Sequence, residues 1–262
     1  MDETTEQVTP HAPDVDHDAA LLRRVRNAVA DDLRVLAALH DRELAPELLA
    51  YLRETHFPAA MSLSDVSRQV RDSAAMLSES LASIGATPEA WVFDELAADY
   101  AAIYLNHQYR TSPCESVWLD SEGLALQEAT FQIRSWYQRF GLAVENWRTR
   151  SDDHLVAQLH FLETLLRRID EVDIGEIGRF MDEHLLRWLP NFAARVADRC
   201  ATRFYAGTAL LTASSCEALR DLIVEITGEP RPTAEEIEQR MKPKTEAKPV
   251  PITFHPGLKP SW

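Results

Sequence analysis

Glycine is scarce in this chain, with eight in 262 residues, and a turn-rich β architecture needs more of them. Cysteine is scarcer still: Cys114, Cys200 and Cys216 are an odd number, lie far apart and form no Cys-x-x-Cys. That excludes a disulfide framework and a thiolate metal site, leaving reduced thiols as the expectation. No apolar run reaches membrane-spanning length. The first segment carries acids where a secretory peptide needs a basic start and an apolar run, so the protein is expected to stay in the cytoplasm without stable membrane insertion. A net charge of −15, with no basic stripe interleaved with aromatics, repels a phosphate backbone and excludes nucleic acid as a partner. A basic peptide fits better.

The usual signatures of catalysis are absent too. There is no Gly-rich phosphate loop, no His-Glu-x-x-His and no Gly-x-Ser-x-Gly. His154 and His160 are six residues apart, which turns them to different faces of one helix, so they do not form a zinc pair. Asp152 and Asp153 are adjacent and diverge by about 100° on a helix, unlike paired acids. The expectation is no enzyme, no catalytic residue, no metal and no cofactor.

What is present is helical spacing throughout. Leu21, Leu22, Val25, Val29, Leu33 and Leu36 recur as far as His40, and Pro46 begins a short helix with Leu48, Leu49 and Leu52. Val66, Val70, Ala74, Leu77, Leu81 and Ile84 mark a helix stopping at Gly85. Thr87-Pro88-Glu89 starts the next, with Trp91, Leu96, Tyr100 and Ile103 on one side, Tyr104 at its edge and an end near Asn106. Pro113 to Leu119 reads as an irregular loop. Another helix runs from about Glu128 through Phe131, Trp136, Tyr137 and Phe140 to Gly141, and a polar linker spans Val144 to Arg150.

Ser151-Asp152-Asp153-His154 then opens a helix whose stripe is Leu155, Leu159, Leu162, Leu166 and Ile169. Ser151 or Asp152 can cap it, and the two carboxylates sit at the positive end of its dipole. Capping alone accounts for these residues. Ile177, Phe180, Met181, Leu185 and Trp188 mark a further helix that Pro190 ends or kinks, with a continuation through Phe192, Val196 and Phe204. Leu210 and Leu211 belong to that helix or to the next, which carries Leu219, Leu222, Ile223 and Ile226 toward Gly228.

These patterns predict an all-α protein with one globular helical domain at 19–228. Residues 1–18 form an acidic lead without Lys or Arg, expected to be disordered. Residues 229–262 form a Pro-rich, mostly extended tail holding all four lysines, in which only Thr233 to Met241 can fold, with Thr233 and Glu236 spaced as a capping box.

The order Tyr100-Ala101-Ala102-Ile103-Tyr104, Pro113-x-Glu115-Ser116-Val117-Trp118-Leu119, Glu122-Gly123, Asp153-His154, Phe161-Leu162 and His184-Leu185-x-x-Trp188-x-Pro190-x-Phe192 resembles the TorD/DmsD family of molybdoenzyme maturation chaperones. The chain departs from that pattern at Asn106-His107 (usually Gly-Pro), at Cys114 (usually aromatic) and at Arg150-Ser151 (often Glu-Pro). The resemblance implies a cytoplasmic, system-specific chaperone. It would bind the catalytic subunit of a molybdopterin oxidoreductase and its twin-arginine leader, assist cofactor insertion and prevent premature export. It also implies peptide-binding residues at Tyr100, Ile103, Tyr104, Asp153 and His154, with Glu115, Ser116 and Trp118 in the loop motif. Such a receptor needs carboxylates beside an aromatic-lined groove. The competing readings are a helical scaffold or regulator without a molybdoenzyme client, and a metal-free hydrolase. Both a monomer and a dimer exchanging helices across the hinge before Ser151 are open.

Overall fold

A computed structural model describes residues 15–242, apart from 107, 121, 125–127, 146–149 and 169. The acidic lead before Val15, the middle of the Val144–Arg150 linker with its hinge, Ile169 and the tail beyond Lys242 lie outside the described residues. The elements are α1 (Val15–Asp41), α2 (Pro46–Glu54), α3 (Arg68–Ser83), α4 (Ala90–Tyr100), the single turn α5 (Ser116–Leu119), α6 (Glu128–Arg139), α7 (Leu155–Arg167), α8 (Ile174–Glu183), α9 (Leu189–Arg199), α10 (Arg203–Thr227) and α11 (Ala234–Met241). Among the described residues there is no strand, and the fold is all-α as the spacing predicts.

One apolar core runs from Val29 of α1 to Ile223 of α10. α1 packs along α7, while α3 and α9 pack along α10. Arg26, buried in α1, donates to the carbonyls of Leu165 (2.9 Å) and Leu166 (3.0 Å), two orphan C-terminal acceptors of α7, and to that of Val172 (3.4 Å) beyond its end. At the other helix pair Gly207 makes the close approach. A Cβ there would sit 3.1 Å from the backbone of Leu77, and only a residue without one lets the two helices touch.

The helix ends follow local chemistry. Gly228 ends α10 in the left-handed region at φ 70°, and Thr233 with Glu236 forms the expected capping box. Pro190 does not end a helix. α8 stops at Glu183, a 3-10 turn covers Leu185–Arg187, and Pro190 lies in the first turn of α9, where its missing N–H costs nothing. α9 breaks before Phe204, because the Asp99 carboxylate accepts from the Ala201 amide (2.9 Å), the Thr202 amide (2.9 Å) and the Thr202 hydroxyl (2.6 Å), closing the start of α10. Leu210 and Leu211 therefore belong to α10. Trp91 and Phe131 do not face inward; their residues are 58% and 54% exposed.

Candidate functional site

α4 runs on through a π-helical turn, Ala101–Leu105, closed by the Asn106 amide on the Ala101 carbonyl at 2.9 Å. The wider turn brings Ile103 and Tyr104 into the core. The Tyr104 hydroxyl lies 2.6 Å from His40 Nδ1, His40 Nε2 lies 2.8 Å from the Thr212 hydroxyl, and that hydroxyl donates to the Thr208 carbonyl at 2.8 Å. Since Thr212 spends its proton on Thr208, it accepts from His40 Nε2, and His40 Nδ1 accepts from Tyr104. Burial pushes the His40 imidazole down to about 3, with His154 adding to the effect. The neutral ring this chain requires is thus the stable one.

Tyr100 stacks beside Tyr104, with ring centroids 4.6 Å apart, and its hydroxyl donates to the Asp41 carbonyl at 2.8 Å. Both tyrosines are buried, as is Ile103. Phe192 joins them to the loop: its centroid is 6.3 Å from those of both Tyr104 and Trp118. The Trp118 indole donates to the Ser112 carbonyl at 2.8 Å, and Arg195 lies 4.3 Å above its ring, a cation–π contact.

The expected irregular loop instead closes into α5, because the start of α7 holds it. The Leu155 amide donates to the Pro113 carbonyl (2.7 Å), the Glu115 amide to the Asp153 carbonyl (3.1 Å), and the Ser116 amide to the Asp153 carboxylate (2.8 Å). Cys114 and His154 form an isolated antiparallel bridge. Burial first, then Asp153, pushes the Cys114 thiol up to about 12, which makes it a neutral packing group rather than a nucleophile. The cap of α7 is neither Ser151 nor Asp152 but His154, whose Nδ1 accepts from the Val156 amide at 3.1 Å. Its imidazole is pushed down to about 4, by burial first and by Arg150 second, against Asp153 and Asp41. Asp152 instead takes Arg134 of α6 at 2.5 and 2.8 Å.

Asp153 and Glu115 are both 0% exposed, although a first-turn position suggested a solvent-facing carboxylate for Asp153. It takes the Ser151 hydroxyl as well as the Ser116 amide. Glu115 takes Gln158 Nε2 and His184 Nδ1, each at 2.9 Å. His184 and Gln158 are partners that site reasoning from the sequence missed. Their signal was a polar residue on an apolar stripe: Gln158 among Leu155, Leu159 and Leu162, and His184 among Phe180, Leu185 and Trp188. The structure therefore brings Glu115, Ser116, Asp153 and His154 into direct contact, links Trp118 through Phe192 to the tyrosines, and leaves only Trp118 and His154 partly exposed.

Beside this constellation, between the end of α6, the 142–145 segment and α7, lies a groove of about 520 Å³. Tyr137, Leu142, Val144, Val156 and Phe161 give it an apolar wall, with Glu145, Arg150 and His160 at its rim. Tyr137 fixes its inner edge to the acidic segment, donating to the Asp152 carbonyl at 2.8 Å. Arg150 pairs with Asp41 at 2.5 Å, so the rim is tied to the C-terminus of α1.

The family model for the nitrate reductase delta subunit matches residues 63–194, half of the chain. The chain belongs to that family. The matched region holds every expected peptide-binding residue together with Gln158, His184 and Phe192. The His40 and Thr212 ends of the tyrosine chain lie outside it. Relatives include the chaperone protein TorD of Vibrio vulnificus, 30% identical over 139 residues, which cover 50% of this chain and 65% of that one. TorD of Vibrio cholerae is 28% identical over 144 residues (52% and 65%), and that of Shewanella pealeana 32% over 128 residues (46% and 57%). The chain thus spans less than two thirds of the length of these relatives. Each of these relatives bears the name of a chaperone.

Proposed function

We propose that this protein is a maturation chaperone for a molybdopterin oxidoreductase, working in the cytoplasm and binding the leader and apo catalytic subunit of its client. In this reading it favours cofactor insertion before export and does no chemistry itself. One observation carries the reading: an apolar, aromatic-walled groove lies against the start of α7, where the family's motif residues converge. A leader has a basic start and an apolar centre, and the groove offers a surface for the apolar part. Its arginines meet the exposed Glu145 at the groove rim and the exposed Glu43, since Asp41 is already held by Arg42 and Arg150. Trp118 and His154, partly exposed but outside the groove lining, extend the site beyond it. The buried residues, Tyr100, Ile103, Tyr104, Glu115, Ser116 and Asp153, hold those two side chains in position.

Val144→Lys puts a charge on the groove wall at a partly exposed position, where it costs the fold little. Titration of the client leader peptide by calorimetry is expected to show about tenfold weaker binding or worse, equivalent to about 1.4 kcal/mol, with thermal unfolding unchanged. Unchanged affinity would remove the groove from the site. Loss of binding to a leader whose arginines are replaced would support the electrostatic half of the reading.

A further inference from the structure

A second concave face lies between α3 and α10, sharing no lining residue with the groove beside α7. Its origin is a size pattern. Below the contact of Gly207 with Leu77, the facing positions are small: Ser67 capping α3 and Ser73 on it, Ala213, Ser214 and Ala218 on α10. Ser73 and Ser214 meet through their hydroxyls at 2.8 Å. Side chains this short do not fill the space between two helices, and a cavity of about 610 Å³ remains. A second cavity of about 360 Å³ continues it past Ser67, Ala218 and Asp221 to Val66 and Val224. The floor is apolar, with Met76, Pro190, Leu210 and Leu222 adding to the alanines, and Val66 is 53% exposed at the far end.

The rim has one dominant sign. Asp72, Glu217, Asp221 and Glu225 stand along it. The cations near them are Arg68, paired with Asp72 at 3.4 Å with both side chains largely exposed, and Arg231. Arg231 shows how the rim takes a guanidinium, donating to Glu217 Oε2 (2.6 Å), the Glu217 carbonyl (2.9 Å) and Asp221 Oδ1 (2.9 Å). Among the described residues Glu225 has no ion pair, and an exposed pair like Arg68–Asp72 is easily exchanged for another cation. The chain as a whole carries −15, a sign that favours cationic over acidic partners.

We infer that the groove between α3 and α10 is a second docking surface, taking a helical segment of another polypeptide that presents an apolar face flanked by arginine or lysine. The apolar face lies on Met76, Leu210 and Leu222. Its flanking cations reach Asp72 on one side and Glu225 on the other. An acidic segment of the same shape is rejected by the rim.

The test uses the full chain and two synthetic amphipathic helices of about 18 residues with the same leucine stripe, one bearing arginine on its flanks and the other glutamate. Saturable binding of the arginine helix alone is expected, weakened by added salt. Hydrogen-exchange protection should fall on residues 67–76 and 210–225. The double variant Asp72→Lys/Glu225→Lys, both positions lying at the groove rim, is expected to bind it about tenfold less tightly while binding the leader peptide as before. Equal binding of both helices, no saturable binding, protection along α7 instead, or a face buried by self-association in sedimentation would each overturn the inference. The separate leader titration keeps such a failure distinct from a failure of the chaperone reading.

Discussion

The carboxylate of Asp153 accepts the backbone N–H of Ser116 at 2.8 Å, joining two motif segments 37 residues apart in a place that solvent does not reach. Asp153→Asn keeps an oxygen but loses a charge-assisted acceptor and sets an amide against the Ser116 donor. A buried, multiply bonded carboxylate should cost on the order of 2 to 3 kcal/mol when neutralised, more than the roughly 1 kcal/mol of an exposed cap. Urea unfolding measures the difference. A loss within error of zero would return Asp153 to a peripheral role.

Tyr104→Phe is expected to cost about 1 to 2 kcal/mol, because it leaves His40 Nδ1 buried without a donor. Its effect on leader affinity should be small. A double-mutant cycle with Thr212→Val reads the coupling along the chain, and additive losses would break the proposed relay of hydrogen bonds.

His154 makes stability pH-dependent with a definite sign. Its imidazole is held at about 4 in the folded protein against about 6.5 when unfolded, so between those values the unfolded chain binds the extra proton. Stability is complete above about pH 6.5 and falls as the pH drops toward 4; His40, held at about 3, acts in the same direction. His154→Asn keeps a side-chain acceptor for the Val156 amide and cannot titrate. Denaturant midpoints taken across pH 4 to 7 should slope less for this variant than for the parent, and parallel slopes would show that His154 is not a source.

Gly207→Ala adds a methyl 3.1 Å from the Leu77 backbone. Helix propensity favours alanine by about 1 kcal/mol, yet forcing apart two packed backbones costs typically 1 to 3 kcal/mol. A net loss of melting temperature is expected; a gain would mean that α3 moves aside freely.

The helices were legible because apolar spacing is a local property. Leu155, Leu159, Leu162 and Leu166 fix an amphipathic helix with no knowledge of its partner, and Gly228 or Thr233 with Glu236 marks an end by its own chemistry. What escaped was decided across distance. That Pro190 opens a helix depends on α8 having stopped seven residues earlier. That Asp153 is interior depends on Ser116 arriving from another segment. Trp91 and Phe131 follow a helical register, but no other element covers them. Of the eight expected peptide-binding residues only Trp118 and His154 are partly exposed, a distinction that spacing in a sequence does not carry.

The partnership of α1 with α7 also bears on how the protein comes into being. On a ribosome, the first long helix emerges well over a hundred residues before the helix whose carbonyls Arg26 must cap, and at usual synthesis rates that is roughly ten seconds. Through that interval α1 lacks its main companion, α7, and meets the segment around Ser62 and later Tyr100 and Tyr104. A protein whose relatives are chaperones thus starts life as a nascent chain with an exposed hydrophobic helix, in need of shelter of its own.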